Sequence, residues 1–148
     1  LITANATGKI SIDNLDVEII GGTLTLADKQ LIRPEFLDFA VTRQAVSGIT
    51  TTTVDYQLGQ YVEIAMTANI VTFSITDFPS QPPDVYGVIR LKFVQGASPW
   101  TITWPAAYKW PGSVAPVLST GNGDIDFIDL WTDDKGVTWY GSYAQLYS

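Results

Sequence analysis

The sequence predicts an all-β protein: a β-sandwich or Greek-key barrel preceded by an N-terminal β arm and one short helix. Short runs rich in Val, Ile, Thr and aromatic residues recur along most of the 148 residues, and Gly, Pro, Asn or Asp separates one run from the next. Within many runs, apolar and polar residues alternate, as in a strand with one buried face. Many short strands with regular turn signals are typical of sandwiches and barrels.

The arm comes first. Residues 9–20 alternate between apolar and polar, Gly21 and Gly22 permit a tight turn, and residues 23–26 resume the alternation. The pattern indicates a strand, a turn and a second strand. Because an isolated hairpin is only marginally stable in water, we expect the arm to lie on the main domain or on copies of itself.

One short helix is predicted over residues 34–45. Apolar residues recur there at spacings of three and four, and Pro34 suits the first helical position. Ser47 and Gly48 end the pattern, and Thr and Val then become frequent. We therefore predict two regions: residues 1–48, an arm and helix for attachment and oligomerisation, and residues 49–148, a β-sandwich module.

The predicted strands of the module cover residues 52–56, 61–66, 70–75, 86–94, 100–104, 125–131 and 137–143. A hairpin loop joins the last two, with Gly136 in the left-handed position after the turn. Trp131 follows Ile125 and Phe127 at two-residue spacing, so these three side chains share one face of a strand. That face is expected in the core.

Composition argues against several functions. The formal net charge is -7 and the basic residues are scattered singly, so nucleic-acid binding is not expected. The longest apolar stretches are far shorter than the roughly 20 residues of a membrane-spanning helix. The sequence has no Cys and no His, which removes thiol chemistry, the usual zinc ligand and every nucleophile that depends on histidine. We predict no catalytic residues, no cofactor and no metal site.

An acidic cluster near the C-terminus permits two other interpretations. Its oxygen atoms suit Ca²⁺, and a pair of its carboxylates would suit glycosidic cleavage. The spacing matches no calcium motif, and Asp beside Gly is common in turns because the carboxylate hydrogen-bonds the local backbone. A structural role in turns is therefore favoured for Asp124, Asp126, Asp129, Asp133 and Asp134.

Aromatic residues supply the candidate site for a ligand or partner, which comprises Trp100, Trp104, Tyr108, Trp110, Trp139 and Tyr140. Such rings stack on sugars, and they also fill cores and subunit interfaces, the interpretation favoured for most of them. Pro ends strand pairing directly after Trp104 and Trp110, so these two rings are expected nearer an edge than Trp131.

Four short motifs follow one another in the second region: residues 102–106 (ITWPA), 109–112 (KWPG), 117–121 (VLSTG) and 136–141 (GVTWYG). In this order they resemble a module of tailed-bacteriophage virion structural proteins such as tail fibres, appendages and decoration proteins. The resemblance covers about residues 50–148. In one departure, Lys135 stands where the module has the first glycine of Asp-Gly-Gly. The resemblance implies attachment to a virion as a trimer and brings no catalytic residues.

The sequence and the resemblance together predict a non-enzymatic structural protein on the surface of a phage particle. We expect a homotrimer whose partners are other virion proteins and a host surface glycan, with no nucleic acid and no membrane insertion. A capsid decoration protein is the alternative within this class. A carbohydrate-binding module is the alternative from another class.

Overall fold

The structure is a computed structural model that describes residues 40–79 and 85–147. The chain divides into two units, Leu1–Asp38 and Phe39–Ser148, and all the described residues belong to the second. The predicted arm and the first part of the predicted helix, residues 34–39, lie outside the described residues.

The described residues form an all-β structure, which confirms the predicted class. Two short 3₁₀ turns, Tyr56–Leu58 and Pro111–Ser113, are the helical segments of this part of the chain. The eight strands are β1 (Arg43–Gly48), β2 (Thr51–Asp55), β3 (Tyr61–Met66), β4 (Thr72–Thr76), β5 (Gly87–Val94), β6 (Tyr108–Lys109), β7 (Ile125–Thr132) and β8 (Trp139–Tyr147).

The helix prediction is wrong where it can be checked, because residues 43–45 belong to β1. Gln44 and Gly48 of this strand are buried, whereas Arg43, Ala45 and Ser47 are exposed, as the period of a strand requires. Pairing with β3 along the whole length of β1 supplies backbone hydrogen bonds that outweigh the weak helical pattern. The sheet therefore begins before the predicted boundary at Gly48.

The strands make two sheets. One has six strands in the order β1-β3-β5-β7-β8-β6, and the other pairs β2 with β4. From β1 to β5 the chain passes alternately through the two sheets, so β3 lies parallel to β1, β5 to β3, and β4 to β2. The pairs β5–β7 and β7–β8 are antiparallel. The pair β6–β8 is parallel.

The turns that follow β1 and β3 lie one above the other, and this alignment sets the register of the parallel strands. The carbonyl oxygen of Gly48, at the end of β1, accepts the backbone N–H groups of Thr67 at 2.9 Å and Ala68 at 3.0 Å. The carbonyl oxygen of Thr50 likewise accepts the N–H of Val71 at 2.9 Å. The turn after β1 is thereby held over the turn after β3, which brings the following strands into line.

The core lies between the inner faces of the two sheets. Alternate residues of β3, β5 and β7 point inward and join Val54 of β2 and Phe73 of β4 in one buried cluster. On β7 the inward residues include Ile128 and Leu130, whereas Trp131 is half-buried on the opposite face. The predicted alternation of this strand is present, but the prediction that Trp131 faces the core is wrong.

A long connection, residues 95–124, runs from β5 to β7 and is named here the Trp-rich excursion. It contains β6, which pairs with the start of β8. The strand predicted over residues 100–104 is reduced to one parallel bridge between Ile102 and Ile70. Backbone hydrogen bonds of 2.8 Å from Ile70 to Thr101 and from Thr103 to Ile70 hold that bridge.

Candidate functional site

Most of the aromatic candidates belong to the core. Trp139 is 2% exposed and Tyr108 is 8% exposed, so neither ring is available to a ligand. Trp104 packs with its centroid 5.9 Å from those of Phe73 and Phe93, and its Nε1 donates a 2.9 Å hydrogen bond to the carbonyl of Pro116. These contacts satisfy both the apolar body and the polar edge of the indole.

Trp110 and Trp100 are half-buried and pack against the same core. The Trp110 ring lies 4.8 Å from that of Trp104 and rests on Gly141 of β8, where any Cβ atom would overlap the indole. Trp100 lies close to Gly96. The proline residues do interrupt strand pairing in the Trp-rich excursion, but the chain then turns the rings back over the open side of the core.

Two buried polar side chains fasten the Trp-rich excursion. Gln95 donates from Nε2 to the carbonyls of Trp100 at 2.9 Å and Ser119 at 2.7 Å, and its Oε1 accepts from backbone N–H groups. Asp126, 2% exposed, accepts from the N–H and hydroxyl of Ser119 at 2.6 and 2.7 Å and from the N–H of Leu146 at 3.1 Å. The connection is thus tied to the sheet at both of its ends.

Tyr140 is the aromatic candidate that lies elsewhere, 40% exposed on the side of the six-stranded sheet opposite the core. This side is named the outer face. Its ring stacks on that of Trp131, with centroids 6.4 Å apart and 22° between the planes. Other apolar and aromatic members of the outer face are Ala45, Tyr61, Ala65, Val88, Val94, Ile125, Phe127, Ala144 and Tyr147.

A band of ion pairs crosses the outer face. Glu63 accepts from Arg43 at 2.9 Å and from Lys92 at 3.0 Å. Arg90 binds Asp129 in bidentate fashion, with Nε–Oδ1 at 2.6 Å and Nη2–Oδ2 at 2.8 Å. The hydrogen bond from Lys92 is the main reason why the pKa of Glu63 is lowered. The hydrogen bond to Asp129 is the main reason why the pKa of Arg90 is raised. Each of these five charged side chains therefore has an oppositely charged partner, with Glu63 shared by Arg43 and Lys92.

Charge is unevenly distributed over the molecule. The outer face carries three of the five basic side chains in the described ranges but only two of the eight acidic ones. These five form the pairs just described, so the face is close to neutral while the remaining described surface is acidic. Contact through the outer face consequently avoids the repulsion that a net charge of -7 imposes on other approaches.

A groove of about 470 Å³ opens at one end of the outer face, where β5 extends beyond the start of β3. Tyr61, Val88 and Trp131 contribute side chains to its lining, and Gln60, Arg90 and Asp129 add polar groups. The volume lies within the range of about 300–1,000 Å³ that is usual for small-molecule sites. The groove and the apolar area around Ala65, Val94 and Ile125 lie on opposite sides of the ion pairs.

Of the acidic residues considered as a calcium site, Asp124 and Asp134 accept hydrogen bonds in turns, whereas Asp126 and Asp129 belong to β7, so the predicted turn role is wrong for these two. Asp124 accepts from the N–H of Gly121, and Asp134 accepts from Thr132 and Thr138. The pKa of Asp134 is lowered, chiefly by the Thr138 hydrogen bonds. Within residues 40–79 and 85–147, no group of three side chains has an arrangement suited to holding a metal ion.

Two further findings bear on function. Among the described residues, no helix has the length and apolar character needed to cross a membrane. Comparison with protein-family models, curated proteins and solved structures finds no match to this chain.

Proposed function

We propose that this chain is a non-enzymatic structural module of a tailed-phage particle. In this proposal it forms a homotrimer and attaches to other virion proteins or to the host surface. The observation that carries the proposal is the outer face, where aromatic and aliphatic side chains stay exposed on strands of the six-stranded sheet. Val88 is 49% exposed, Tyr140 40% and Tyr147 52%. Exposed apolar side chains grouped on one face of a sheet mark an interaction site, and here they form two areas, one on each side of the ion pairs.

We interpret the two sheets as a β-sandwich with parallel as well as antiparallel pairing. Among residues 40–79 and 85–147, the six-stranded sheet then has one face on the core and one face turned away from it, and the two-stranded sheet closes the core from the other side. A rigid sheet holds its outward side chains in fixed positions, which is a suitable basis for a specific interface.

The homotrimer is proposed to form through the apolar area of Ala65, Val94, Ile125, Phe127 and Tyr147. Three copies that turn this area toward a common three-fold axis bury it from water, and each copy presents the same residues. The ion pairs beside this area are satisfied within each chain, so burial at a subunit boundary leaves no unpaired charge among them.

The candidate residues already pack on the core or form hydrogen bonds within the chain, which supports a structural rather than an enzymatic role. The rings of the Trp-rich excursion fill space against the core, and the buried Asp126 is occupied by three donors. A location on the virion surface is part of the proposal. Electron microscopy of virions labelled with an antibody against the chain tests this location and separates a tail appendage from a capsid decoration protein.

Light scattering of the full chain at micromolar concentration tests the trimer directly. We expect three times the chain mass for the wild type and a monomer for Ala65→Lys, because a lysine on β3 at the side of the apolar area places a charge in the interface. Val137→Lys is the matched control, since Val137 is 71% exposed in the β7–β8 loop. It should leave the trimer intact. A monomeric wild type overturns the proposed trimer.

A further inference from the structure

We infer that the groove of the outer face binds a neutral saccharide through one hexopyranose ring. This inference deepens the proposed function, since it names the chemistry of the host-surface contact on which that function partly rests. It also moves the ligand site away from the Trp-rich excursion, where the sequence had suggested it, to Trp131 and its neighbours.

The apolar wall of the groove suits one face of a sugar ring. Trp131 and Tyr61 are half-buried and Val88 is 49% exposed, so all three have surface available within the groove. Tyr140 stacks on Trp131 and restricts the position of the indole. A pyranose presents C–H groups on its flatter face, and these pack on an aromatic ring with little loss of hydrogen bonding to water. A rigid ring performs this at a low cost in conformational entropy.

The polar groups suit the hydroxyls at the edge of the same ring. Arg90 uses Nε and one Nη2 hydrogen to bind Asp129, which leaves further guanidinium N–H groups and carboxylate lone pairs for a ligand. Because the two groups are coplanar in a bidentate pair, donors and acceptors stand side by side. Two adjacent hydroxyls, each able to donate and accept, match this arrangement.

Charge selects a neutral sugar over an acidic one. Arg90 and Asp129 neutralise one another, so the groove offers no net positive charge to an anionic sugar, which would also meet the Asp129 carboxylate. The volume of about 470 Å³ accommodates a mono- or disaccharide.

The test is saturation-transfer NMR and calorimetry of the full chain with methyl glucosides, galactosides and mannosides, N-acetylglucosamine and their disaccharides. We expect at least one of them to bind with a Kd on the order of 1 mM, the weak range of a small ligand in an open site. Saturation should be transferred most strongly to ring C–H protons. Absence of saturable binding across this set overturns the inference.

Variants locate the site. Trp131→Ala and Asp129→Asn should each weaken binding by at least about tenfold, the loss of roughly 1.4 kcal/mol. Val88→Arg fills the groove from an exposed position and should abolish binding in a folded protein. Tyr143→Ala removes a 43% exposed ring of β8 that is absent from the groove lining and should bind like the wild type. Binding that survives both Val88→Arg and Trp131→Ala contradicts the site.

Light scattering on the same samples separates this inference from the proposed trimer. A monomeric wild type that binds saccharide overturns the proposed trimer and supports saccharide binding in the groove. A trimer that binds none of the saccharides supports the proposed trimer and overturns the saccharide inference. Because Ala65 lies outside the groove lining, Ala65→Lys should bind saccharide as a monomer.

Discussion

The Trp-rich excursion and the outer face both carry aromatic rings, but they direct them in opposite ways. In the excursion, Trp104, Tyr108 and Trp110 turn inward and close the open side of the core. On the outer face, Trp131 and Tyr140 lie on a regular hairpin and turn away from the core. Irregular backbone is therefore no sign of exposure in this protein. A ring packs on the core if it faces the space between the two sheets.

The largest effect that tests this comparison is the loss of one tryptophan from each region. Trp104→Ala should lower the free energy of unfolding by about 3–5 kcal/mol, the usual cost of removing a core aromatic. It also removes the hydrogen bond to Pro116. Trp131→Ala should cost about 1 kcal/mol, because one side of that indole already faces water. Urea unfolding at neutral pH gives both values.

Equal losses for these two variants would contradict the comparison, and a larger loss for Trp131 would reverse it. The m-value serves as the control for both. An unchanged m-value shows that the variants differ in stability and not in the extent of the folded structure.

Local sequence signals predicted where the strands lie better than they predicted which face of each strand points to the core. Residues 61–66 form β3 with the predicted bounds, because their alternation is regular and turn residues flank them. On β7, however, both faces contain large apolar residues, Ile128 and Leu130 on one and Phe127 and Trp131 on the other. The two-stranded sheet decides which face is covered, and its position depends on contacts between distant residues.

The parallel pairing was equally hidden in the sequence. Arg43 aligns with Tyr61, and Tyr61 aligns with Arg90, so successive passes differ in length and leave no regular repeat. The residues of the groove could not be predicted from the sequence for the same reason. Tyr61, Arg90 and Trp131 come together only through the order of strands in the sheet. Trp131 and Tyr140 are the nearest to a local signal, because both belong to one predicted hairpin, although the predicted bounds do not give the register that places them opposite each other.

A second prediction concerns the fastening of the Trp-rich excursion. Asp126→Asn should lower the free energy of unfolding by about 2 kcal/mol, because the buried carboxylate loses charge-assisted hydrogen bonds from Ser119 and Leu146. Thermal unfolding measures the change. The exposed Asp133→Asn removes the same charge and should change stability little. If the two variants match, Asp126 does not fasten the connection.

A third prediction uses alkaline pH to report on the inward rings. Burial raises the pKa of Tyr108 above its ordinary value of about 10. The unfolded chain therefore releases this proton at a lower pH than the folded chain, so the stability that the neutral phenol contributes is complete below about pH 10 and declines above it. Tyr108→Phe should reduce this decline.

Urea unfolding between about pH 8 and pH 11 measures the effect. Tyr143→Phe, at an exposed position of β8, is the control and should keep the wild-type decline. An identical pH dependence for Tyr108→Phe and the wild type would contradict the burial of this phenol.

The smallest expected effect lies in the turn that joins the two strands of the outer-face hairpin. Lys135 has φ +63° and Gly136 has φ +80°, and the N–H of Val137 contacts the carbonyl of Asp134 at 3.5 Å. Two consecutive positive φ values are those of a type I′ turn, for which Asn-Gly is the preferred pair. Lysine is strained in this conformation because its Cβ approaches the backbone.

Lys135→Asn should therefore raise the free energy of unfolding by about 0.5 kcal/mol, since asparagine tolerates the left-handed conformation. Lys109→Asn removes the same charge from β6, where no positive φ is required, and should give no gain. The stabilised hairpin should keep the saccharide affinity of the wild type, because the turn lies outside the groove lining. A loss of stability in Lys135→Asn would mean that the lysine makes a contact within the chain that outweighs the strain of its backbone.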